Sequence, residues 1–271
     1  MRFIWPMVLI VVTAGSACKS PGALSDASPS IVTAPASSVV PSANAARATG
    51  AADSAAEVLQ TAAGALELHP VHHGTVWFRV GATVVWVDPW SEAKLEDPKA
   101  DLVLITDIHP DHYDPPGLDK VRKVGTRIIA PPAVAEKISG ALVMKNGDRR
   151  EVGALTLEAI PMYNMKRGPS PGKFFHEKGR GNGYIVTFGN KRVYFSGDTE
   201  CTEEMRALRN IDIAFVCMNL PYTMSPSEAA ECVKAFKPKI LVPYHYRGQN
   251  LGDLDAPLAG SGVEIHKHTL Y

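Results

Sequence analysis

The sequence contains few cysteines and has no net charge. Its 271 residues include four cysteines, and its 28 basic side chains are balanced by 28 acidic ones. No two cysteines form a Cys-x-x-Cys pair, which excludes a thiolate zinc cluster and leaves histidine and carboxylate side chains as the ligands of any metal. Zero net charge gives no bulk attraction to nucleic acid, so we expect no nucleic-acid partner.

Aromatic residues are missing from residues 19–76. Residues 19–67 consist mainly of alanine, serine, proline, threonine and glycine, and such a segment cannot bury enough apolar surface to become ordered. We expect a disordered tether there, with an alanine-rich helix after Ser54, where Ser54 and Glu57 have capping-box spacing. The folded domain is then expected over residues 68–271, which are numerous enough to form one hydrophobic core.

The sequence also has no bilayer-spanning apolar run near its start. The apolar residues 3–12 are too few for a transmembrane helix, but Arg2 precedes them and small residues follow, which is the layout of a secretory signal. Residues 15–18, Gly-Ser-Ala-Cys, resemble the lipobox of bacterial lipoproteins. We expect a signal peptide over residues 1–18 and an exported protein, periplasmic or at the cell surface, attached to a membrane by a lipid on Cys18. A soluble secreted protein with an unmodified cysteine is the alternative.

The remaining cysteines permit one disulfide at most if Cys18 is lipidated. Cys217 follows an apolar run and Cys232 lies in a predicted helix, while Cys201 is the third thiol. Cysteine is among the most buried residue types. We therefore expect Cys217 and Cys232 to be buried, inert thiols.

Strand and helix patterns alternate through the rest of the chain. Gly81-Ala82 and Gly189-Asn190 each separate two β-rich runs, which predicts two hairpins. Ser225 and Glu228 have capping-box spacing at the start of a helix. Strands are predicted at residues 75–80, 83–87, 102–106, 127–130, 155–160, 183–188, 191–195, 211–216 and 239–242, and helices at 131–139 and 225–237.

Four of the six residues after the apolar run 102–106 can bind a metal. The stretch reads Asp107-Ile108-His109-Pro110-Asp111-His112. A loop at the carboxyl end of a buried strand turns such side chains toward one crevice, where divalent ions could bridge them. The alternative is a polar loop that caps the helix expected near Asp114, but a cap needs one short polar side chain rather than four ligands.

This stretch resembles the His-x-His-x-Asp-His signature of the metallo-β-lactamase-fold hydrolases, with Asp107 in place of the first histidine. The resemblance extends over residues 70–250 and implies an α+β fold, a four-layer αββα sandwich with its metal site along the sheet edge. Within the superfamily, the branch with L-ascorbate-6-phosphate lactonase and N-acyl-phosphatidylethanolamine phospholipase D is the most similar. The supporting motifs are Asp88-Pro89-Trp90, Gly197-Asp198-Thr199 and Pro243-Tyr244-His245.

The resemblance also implies a set of ligands and roles. One divalent metal ion would be bound by Asp107, His109 and His176, a second by Asp111, His112 and His245, with Asp198 between them and Asp88 bracing the loop from behind. Zinc is the expected metal, with manganese or iron as alternatives. Two ions that share a water lower its pKa toward about 7. Asp111 would be the catalytic residue that orients the resulting hydroxide and transfers its proton.

Hydrolysis of a lactone, ester or phosphodiester is the first functional hypothesis. True zinc β-lactamases lack the bridging aspartate, so Asp198 is evidence against antibiotic hydrolysis. An iron-dependent oxidoreductase on the same fold is the second hypothesis, because Asp107 makes the ligand set richer in oxygen. A catalytically weak, surface-tethered metal-binding module is the third.

A basic loop suggests the charge of the substrate. Residues 161–182 contain five basic side chains and one acid. Because His176 would pin this loop at the metals, we expect Lys166 and Arg167, together with Arg247 near His245, to bind an anionic small-molecule or lipid-derived substrate. A solvated basic loop without substrate contact is the alternative.

Overall fold

The computed structural model describes residues 56–95 and 98–271, in which the strands form two sheets of seven. Each sheet keeps its strands in chain order. The first sheet contains β1 (Glu57–Thr61), β2 (Gly64–His72), β3 (Thr75–Val80), β4 (Thr83–Val87), β5 (Ala100–Leu104), β6 (Arg122–Ala130) and β7 (Leu142–Val143). The second contains β8 (Arg149–Val152), β9 (Leu155–Met162), β10 (Gly181–Phe188), β11 (Lys191–Phe195), β12 (Ile213–Cys217), β13 (Ile240–Tyr244) and β14 (Glu264–Ile265).

Each sheet is antiparallel in its first four strands and parallel in the rest. Parallel neighbours need crossover connections, which here contain the helices. These are α1 (Pro115–Val121), α2 (Pro132–Ala135), α3 (Glu203–Arg206), α4 (Pro226–Phe236), a 3₁₀ helix (Leu251–Leu254) and α5 (Asp255–Leu258). None of the helices in the described ranges is long and apolar enough to cross a membrane.

The main hydrophobic core lies between the two sheets. Along β4, Val85 and Val87 belong to this core, whereas Val84 and Trp86 belong to a second cluster in which α1 and α2 pack. This alternation is the period of two that places successive strand residues on opposite faces. On the other side, α4 packs Phe236 against Tyr194 of β11. The resulting helix–sheet–sheet–helix order confirms the expected α+β, αββα sandwich.

The domain begins earlier than the composition predicts. Residues 57–67 are not part of a disordered tether, and no helix starts at Glu57, because β1 pairs with β2 and brings Leu59 opposite Leu66. Leu66 is buried in the main core and Leu59 packs against that core. A few alternating leucines therefore order a segment whose overall composition is poor in apolar side chains. The expected signal peptide, Cys18 and the tether up to residue 55 lie outside the described residues.

Most of the other predicted elements are present with shifted ends. Both hairpins are confirmed, and so is the capping box at Ser225 and Glu228. Residues 131–139 form only the short helix α2, and β6 begins at Arg122, five residues earlier than predicted. The helix near Asp114 is α1, but the Asp114 side chain makes no cap; its carboxylate accepts a hydrogen bond from Ser91 N at 2.6 Å.

The expectation that Cys232 is a free thiol is wrong. Cys201 and Cys232 form a disulfide, with a sequence separation of 31 residues, which joins the segment after β11 to α4. Cys217 is buried and free, as predicted, and burial raises the pKa of its thiol to about 12. A protonated, buried thiol of this kind is chemically inert.

Candidate metal centre

The candidate ligands lie where strands of both sheets end. The Asp107–His112 stretch follows β5, Asp198 follows β11 and His245 follows β13, while His176 lies in the long connection between β9 and β10. The sheets are joined there by a hydrogen bond from Asn182 N to Thr106 O at 2.9 Å. Loops from separate parallel strands therefore converge at one edge of the sandwich, as the sequence predicts.

The first cluster contains Asp107, His109 and His176, the three residues assigned together from the sequence. One ligand atom from each lies within 4.8 Å of the others. Asp107 is fully buried, and burial by itself acts to raise the pKa of its carboxyl. Hydrogen bonds and charge from His109 and Arg180 outweigh burial and hold the pKa of Asp107 well below its usual range. Asp107 is therefore an anion, as a metal ligand must be.

The second cluster contains His112, Asp198 and His245. Their ligand atoms also lie within 4.8 Å of one another. Nε2 of His112 is 3.5 Å from Asp198 Oδ2, and Nε2 of His245 is 3.4 Å from Asp198 Oδ1. Asp198 Oδ2 is also 3.2 Å from Nε2 of His176 in the first cluster. Asp198 thus lies between the two clusters, in the place that the resemblance implies.

The donor atoms of this second cluster fit a metal ion. Nε2 of His112, Oδ1 of Asp198 and Nε2 of His245 are buried and have no hydrogen-bond partner among the described residues. Buried polar atoms are almost always hydrogen-bonded, and a triad of imidazole and carboxylate atoms without partners is what a divalent ion would satisfy.

Asp111 lies nearer to an unpredicted residue, His73, than to His112. Asp111 Oδ2 is 3.0 Å from Nε2 of His73 and 3.3 Å from Nε2 of His245, whereas Asp111 Oδ1 is 3.9 Å from Nε2 of His112. Asp111 is 28% exposed, unlike the buried Asp107 and Asp198. It is therefore the most exposed of the three carboxylates.

His73 was missed by sequence reasoning. It is buried after β2 with a φ of 52°, and burial lowers the pKa of its imidazole to about 4. Its Nδ1 is hydrogen-bonded to the Tyr271 hydroxyl. A Cβ at the neighbouring Gly74 would lie 3.1 Å from His245 Cδ2, so the backbone can approach the site because this residue is glycine. The His-His-Gly sequence just before the predicted strand 75–80 was the available signal.

Three imidazoles are held from behind so that Nε2 faces the site. His112 Nδ1 lies 2.8 Å from Asp88 Oδ2, and His176 Nδ1 lies 2.8 Å from Asn164 Oδ1. The side-chain amide of Asn219 lies 3.3 Å from Nδ1 of His245. Such outer contacts fix the orientation of a ligating imidazole. The bracing role of Asp88 follows the prediction, whereas both asparagines lacked any signal in the sequence.

Asn164 is itself held by a buried glutamate. Glu200 Oε1 accepts a hydrogen bond from Asn164 Nδ2 at 3.2 Å and one from Arg167 N at 2.9 Å. Its other oxygen accepts hydrogen bonds from the backbone of Met165 and Lys166. Glu200 therefore organises the turn that precedes His176, and the adjacent Cys201 is tied to α4 by the disulfide.

The clusters border a cavity of about 570 Å³. Its apolar wall consists of Phe175, Leu220, Pro221 and Tyr222, and Arg247 is the cation in its lining. Lys166 and Arg167 do not line this cavity; they bind Glu228 at 2.9 and 2.6 Å and border a separate cavity of about 320 Å³. Of the three predicted substrate-binding cations, only Arg247 lies where the prediction places it. A larger cavity of about 650 Å³ is bordered by none of the candidate ligands.

The sandwich and its convergent imidazoles and carboxylates define a metal-dependent hydrolase of the metallo-β-lactamase fold, and the comparisons with known proteins agree. Residues 67–245 match the family described as the beta-lactamase superfamily domain, and the chain belongs to that family. A UPF0173 metal-dependent hydrolase from Thermococcus onnurineus is 30% identical over 182 residues, which are 62% of this chain and 79% of the relative.

Solved structures give the same class. A metal-dependent hydrolase from Parabacteroides distasonis is 39% identical, with a TM-score of 0.75 over 78% of this chain and 97% of that one. Igni18, a metallo hydrolase from Ignicoccus hospitalis, is 21% identical with a TM-score of 0.62, over 75% of this chain and 94% of that one. At that identity the likeness to Igni18 shows the fold alone.

Proposed function

We propose that this chain hydrolyses a lactone, ester or phosphodiester that combines an apolar group with a negative charge. The observation that carries the proposal is the triad of buried, unpartnered ligand atoms on His112, Asp198 and His245 beside the cavity. A divalent ion bound there, zinc in the first place and manganese or iron otherwise, would lower the pKa of a water and polarise the substrate oxygen under attack.

Asp111 is the proposed proton acceptor. Its Oδ2 is hydrogen-bonded to Nε2 of His73 and lies 3.3 Å from Nε2 of His245, and its partial exposure leaves it accessible to a water in the cavity. In the reaction, a bond forms between the water oxygen and the substrate carbonyl carbon or phosphorus. The water proton passes to Asp111 Oδ2 and then to the departing oxygen as its bond breaks. His73 positions this carboxylate, and the Tyr271 hydroxyl positions His73.

The lining of the cavity supports the substrate class. Phe175 and Tyr222 pack edge to face with ring centroids 5.0 Å apart, beside Leu220 and Pro221. Arg247 stacks over Trp90 at 5.5 Å and supplies a positive charge. An apolar wall and one cation suit an amphiphilic small molecule or a lipid-derived one better than a sugar or a polyphosphate.

A hydrolysis screen of the full-length chain tests the proposal. Matched lactones, carboxylic esters and phosphodiesters are assayed with zinc, with a chelator and after zinc is restored. We expect hydrolysis of at least one class, its loss with chelator and its return with zinc, while Asp198→Asn is inactive and the surface variant Asp119→Asn is unaffected. Iron in the purified protein with a visible absorbance band and no hydrolysis would instead favour the oxidoreductase. Metal binding without any turnover would favour the binding module.

The charge preference has its own test. Arg247→Gln is expected to lower kcat/KM roughly fivefold for an anionic ester and to leave its neutral analogue unchanged, because an exposed charge contributes at most about 1 kcal/mol. Lys166→Gln is the matched control, since Lys166 is bound to Glu228 outside the cavity. Equal losses on both substrates would remove Arg247 from substrate binding.

We also propose that the protein is exported and anchored to a membrane through Cys18. The signal-like start supports export, and so does the Cys201–Cys232 disulfide, since disulfides persist in oxidising compartments. Mass spectrometry of the mature amino terminus tests the proposal. A lipidated Cys18 is expected; an unmodified terminus created by cleavage would mean a soluble secreted protein, and an intact Met1 would contradict export.

A further inference from the structure

The two ligand clusters differ in what their ligand atoms contact. In the second cluster, Nε2 of His112, Oδ1 of Asp198 and Nε2 of His245 have no hydrogen-bond partner among the described residues. In the first cluster, the ligand atoms of Asp107 and His109 are already bound to other side chains. The ligand atoms of the second cluster are therefore free to bind a cation, whereas those of Asp107 and His109 in the first cluster already have protein partners.

Arg180 satisfies the first cluster. Its Nε donates to Asp107 Oδ1 at 3.1 Å, and its Nη2 donates to Asp107 Oδ2 at 2.9 Å. Nη2 also donates to Phe175 O at 2.8 Å and lies 3.4 Å from Nε2 of His109. Nδ1 of His109 in turn lies 3.0 Å from Asp107 Oδ2. Both carboxylate oxygens of Asp107 and both ring nitrogens of His109 are therefore engaged.

The charge of this arrangement opposes a second metal ion. A guanidinium group is permanently charged and matches a carboxylate with two parallel hydrogen bonds. Asp107 and Arg180 together have no net charge, so the carboxylate offers a second ion no net electrostatic attraction. The guanidinium itself would repel a divalent ion placed among Asp107, His109 and His176.

Resting on the proposal above that this centre binds a metal, we propose that the chain binds one metal ion tightly, at His112, Asp198 and His245, and that the Arg180 guanidinium replaces the second ion. Asp107 is then the partner that holds Arg180 in place rather than a metal ligand. Asp107, which stands where the His-x-His-x-Asp-His signature has its first histidine, and Arg180 then act as one hydrogen-bonded unit. The centre keeps a positive group beside Asp107 and His109 without a second metal.

The test is zinc binding by the metal-stripped full-length chain, measured by calorimetry and by metal analysis after dialysis. We expect one tight equivalent for the wild type. Arg180→Gln should admit a second equivalent, bound about 10- to 100-fold more tightly than any weak second site of the wild type, which is the range for changes behind metal ligands. Lys173→Gln removes an exposed cation of the same connection and should leave one equivalent.

Each outcome decides between the two proposals. Two tight equivalents in the wild type would overturn the replacement by Arg180 and leave the hydrolase proposal standing. A single equivalent in a folded Arg180→Gln chain would show that Arg180 does not exclude the second ion, which also overturns it. If circular dichroism shows that Arg180→Gln does not fold, cobalt-loaded wild type decides. An uncoupled spectrum with two equivalents of cobalt added supports one ion, and spin coupling contradicts it. No zinc binding by the wild type would overturn the hydrolase proposal itself.

Discussion

The two sheets contribute to the metal centre in different ways. The first sheet supplies most of its groups from one contiguous loop, Asp107–His112, after a single strand. The second sheet supplies His176, Asp198 and His245 one at a time from three connections. A contiguous loop is positioned by its own backbone and by Asp88 behind it. Scattered ligands each need a separate support, which Asn164 provides for His176 and Asn219 for His245.

Because of this difference, most of the contacts that hold the ligands in position lie in the second sheet. Its connection between β9 and β10 is anchored by Glu200, and the segment after Glu200 is tied to α4 by the disulfide. The same connection provides Arg180, which reaches back to Asp107 of the first sheet. The Asp107–His112 loop can therefore be recognised from the sequence by itself. It forms a set of metal ligands only together with residues of the second sheet.

Removing one imidazole from either sheet should be equally damaging, which is the largest effect expected. His112→Asn and His245→Asn each remove an unpartnered, buried Nε2 from the same triad. We expect zinc affinity to fall by at least about 100-fold in both, since a three-residue site loses a direct ligand. Calorimetry measures it; normal affinity in either variant would remove that residue from the ligand set.

The next largest effect is expected from residues that hydrogen-bond to the ligating imidazoles, and it should be larger in the second sheet. Asn164→Ala frees Nδ1 of His176 and leaves Glu200 without one of its donors. His176 contacts the proposed metal ligand Asp198. Zinc affinity and kcat should therefore fall about 10- to 100-fold while the fold is unchanged, as for other residues that support metal ligands. Asn164→Asp retains the oxygen that contacts His176 but not the donor to Glu200, and should recover only the part of the loss that belongs to His176. Equal defects in both variants would indicate a merely structural role.

The same difference explains what the sequence could predict. The Asp107–His112 stretch is visible because four ligand types fall within six residues, and Asp198 and His245 were found because each ends a strand in a recognisable triplet. His73, Asn164 and Asn219 are single polar residues whose roles depend on packing across the sheets. Lys166 and Arg167 were assigned to the substrate by charge alone, and the sequence could not show that Glu228, 62 and 61 residues away, binds both.

The parts of the fold that depend on local sequence patterns were predicted, whereas the edge strand β1 and the disulfide were not. Local alternation predicts strands such as β3, β4, β10 and β11, and their pairing in hairpins is short-range. The strand β1 was missed because its order comes from contact with the core rather than from its own composition. The disulfide partner of Cys201 lies 31 residues away, and no local pattern reveals such a distance.

Removal of the Cys201–Cys232 disulfide should have an intermediate effect on the free energy of unfolding. Cys201→Ser with Cys232→Ser opens a loop of 31 residues, and the free energy of unfolding should fall by about 2–4 kcal/mol, because the unfolded chain regains conformational freedom. Denaturant unfolding with and without reductant measures it. The wild type should become as unstable as the double variant when reduced, and a reductant effect on the double variant itself would point to another cause.

A smaller effect is expected where the sheets meet at β1. Burial acts to lower the pKa of His266, but Glu264 and Glu57 outweigh it and raise the pKa above its ordinary value. A raised folded-state pKa stabilises the protein fully below about pH 6.5, and the stabilisation is lost as pH rises through the folded value. The free energy of unfolding should fall from about pH 6 to about pH 8 by less than about 1 kcal/mol, since the group is partly exposed. His266→Gln should abolish this component; an identical pH slope in the variant would contradict the assignment.

The most direct test is an anomalous scattering measurement at the zinc absorption edge on crystals of the full-length chain grown with zinc. We expect one strong peak within bonding distance of His112 Nε2, an Asp198 oxygen and His245 Nε2, with Arg180 still bound to Asp107. A peak of equal height among Asp107, His109 and His176 would contradict the single-ion centre. The absence of any peak at either cluster would contradict the metal centre itself.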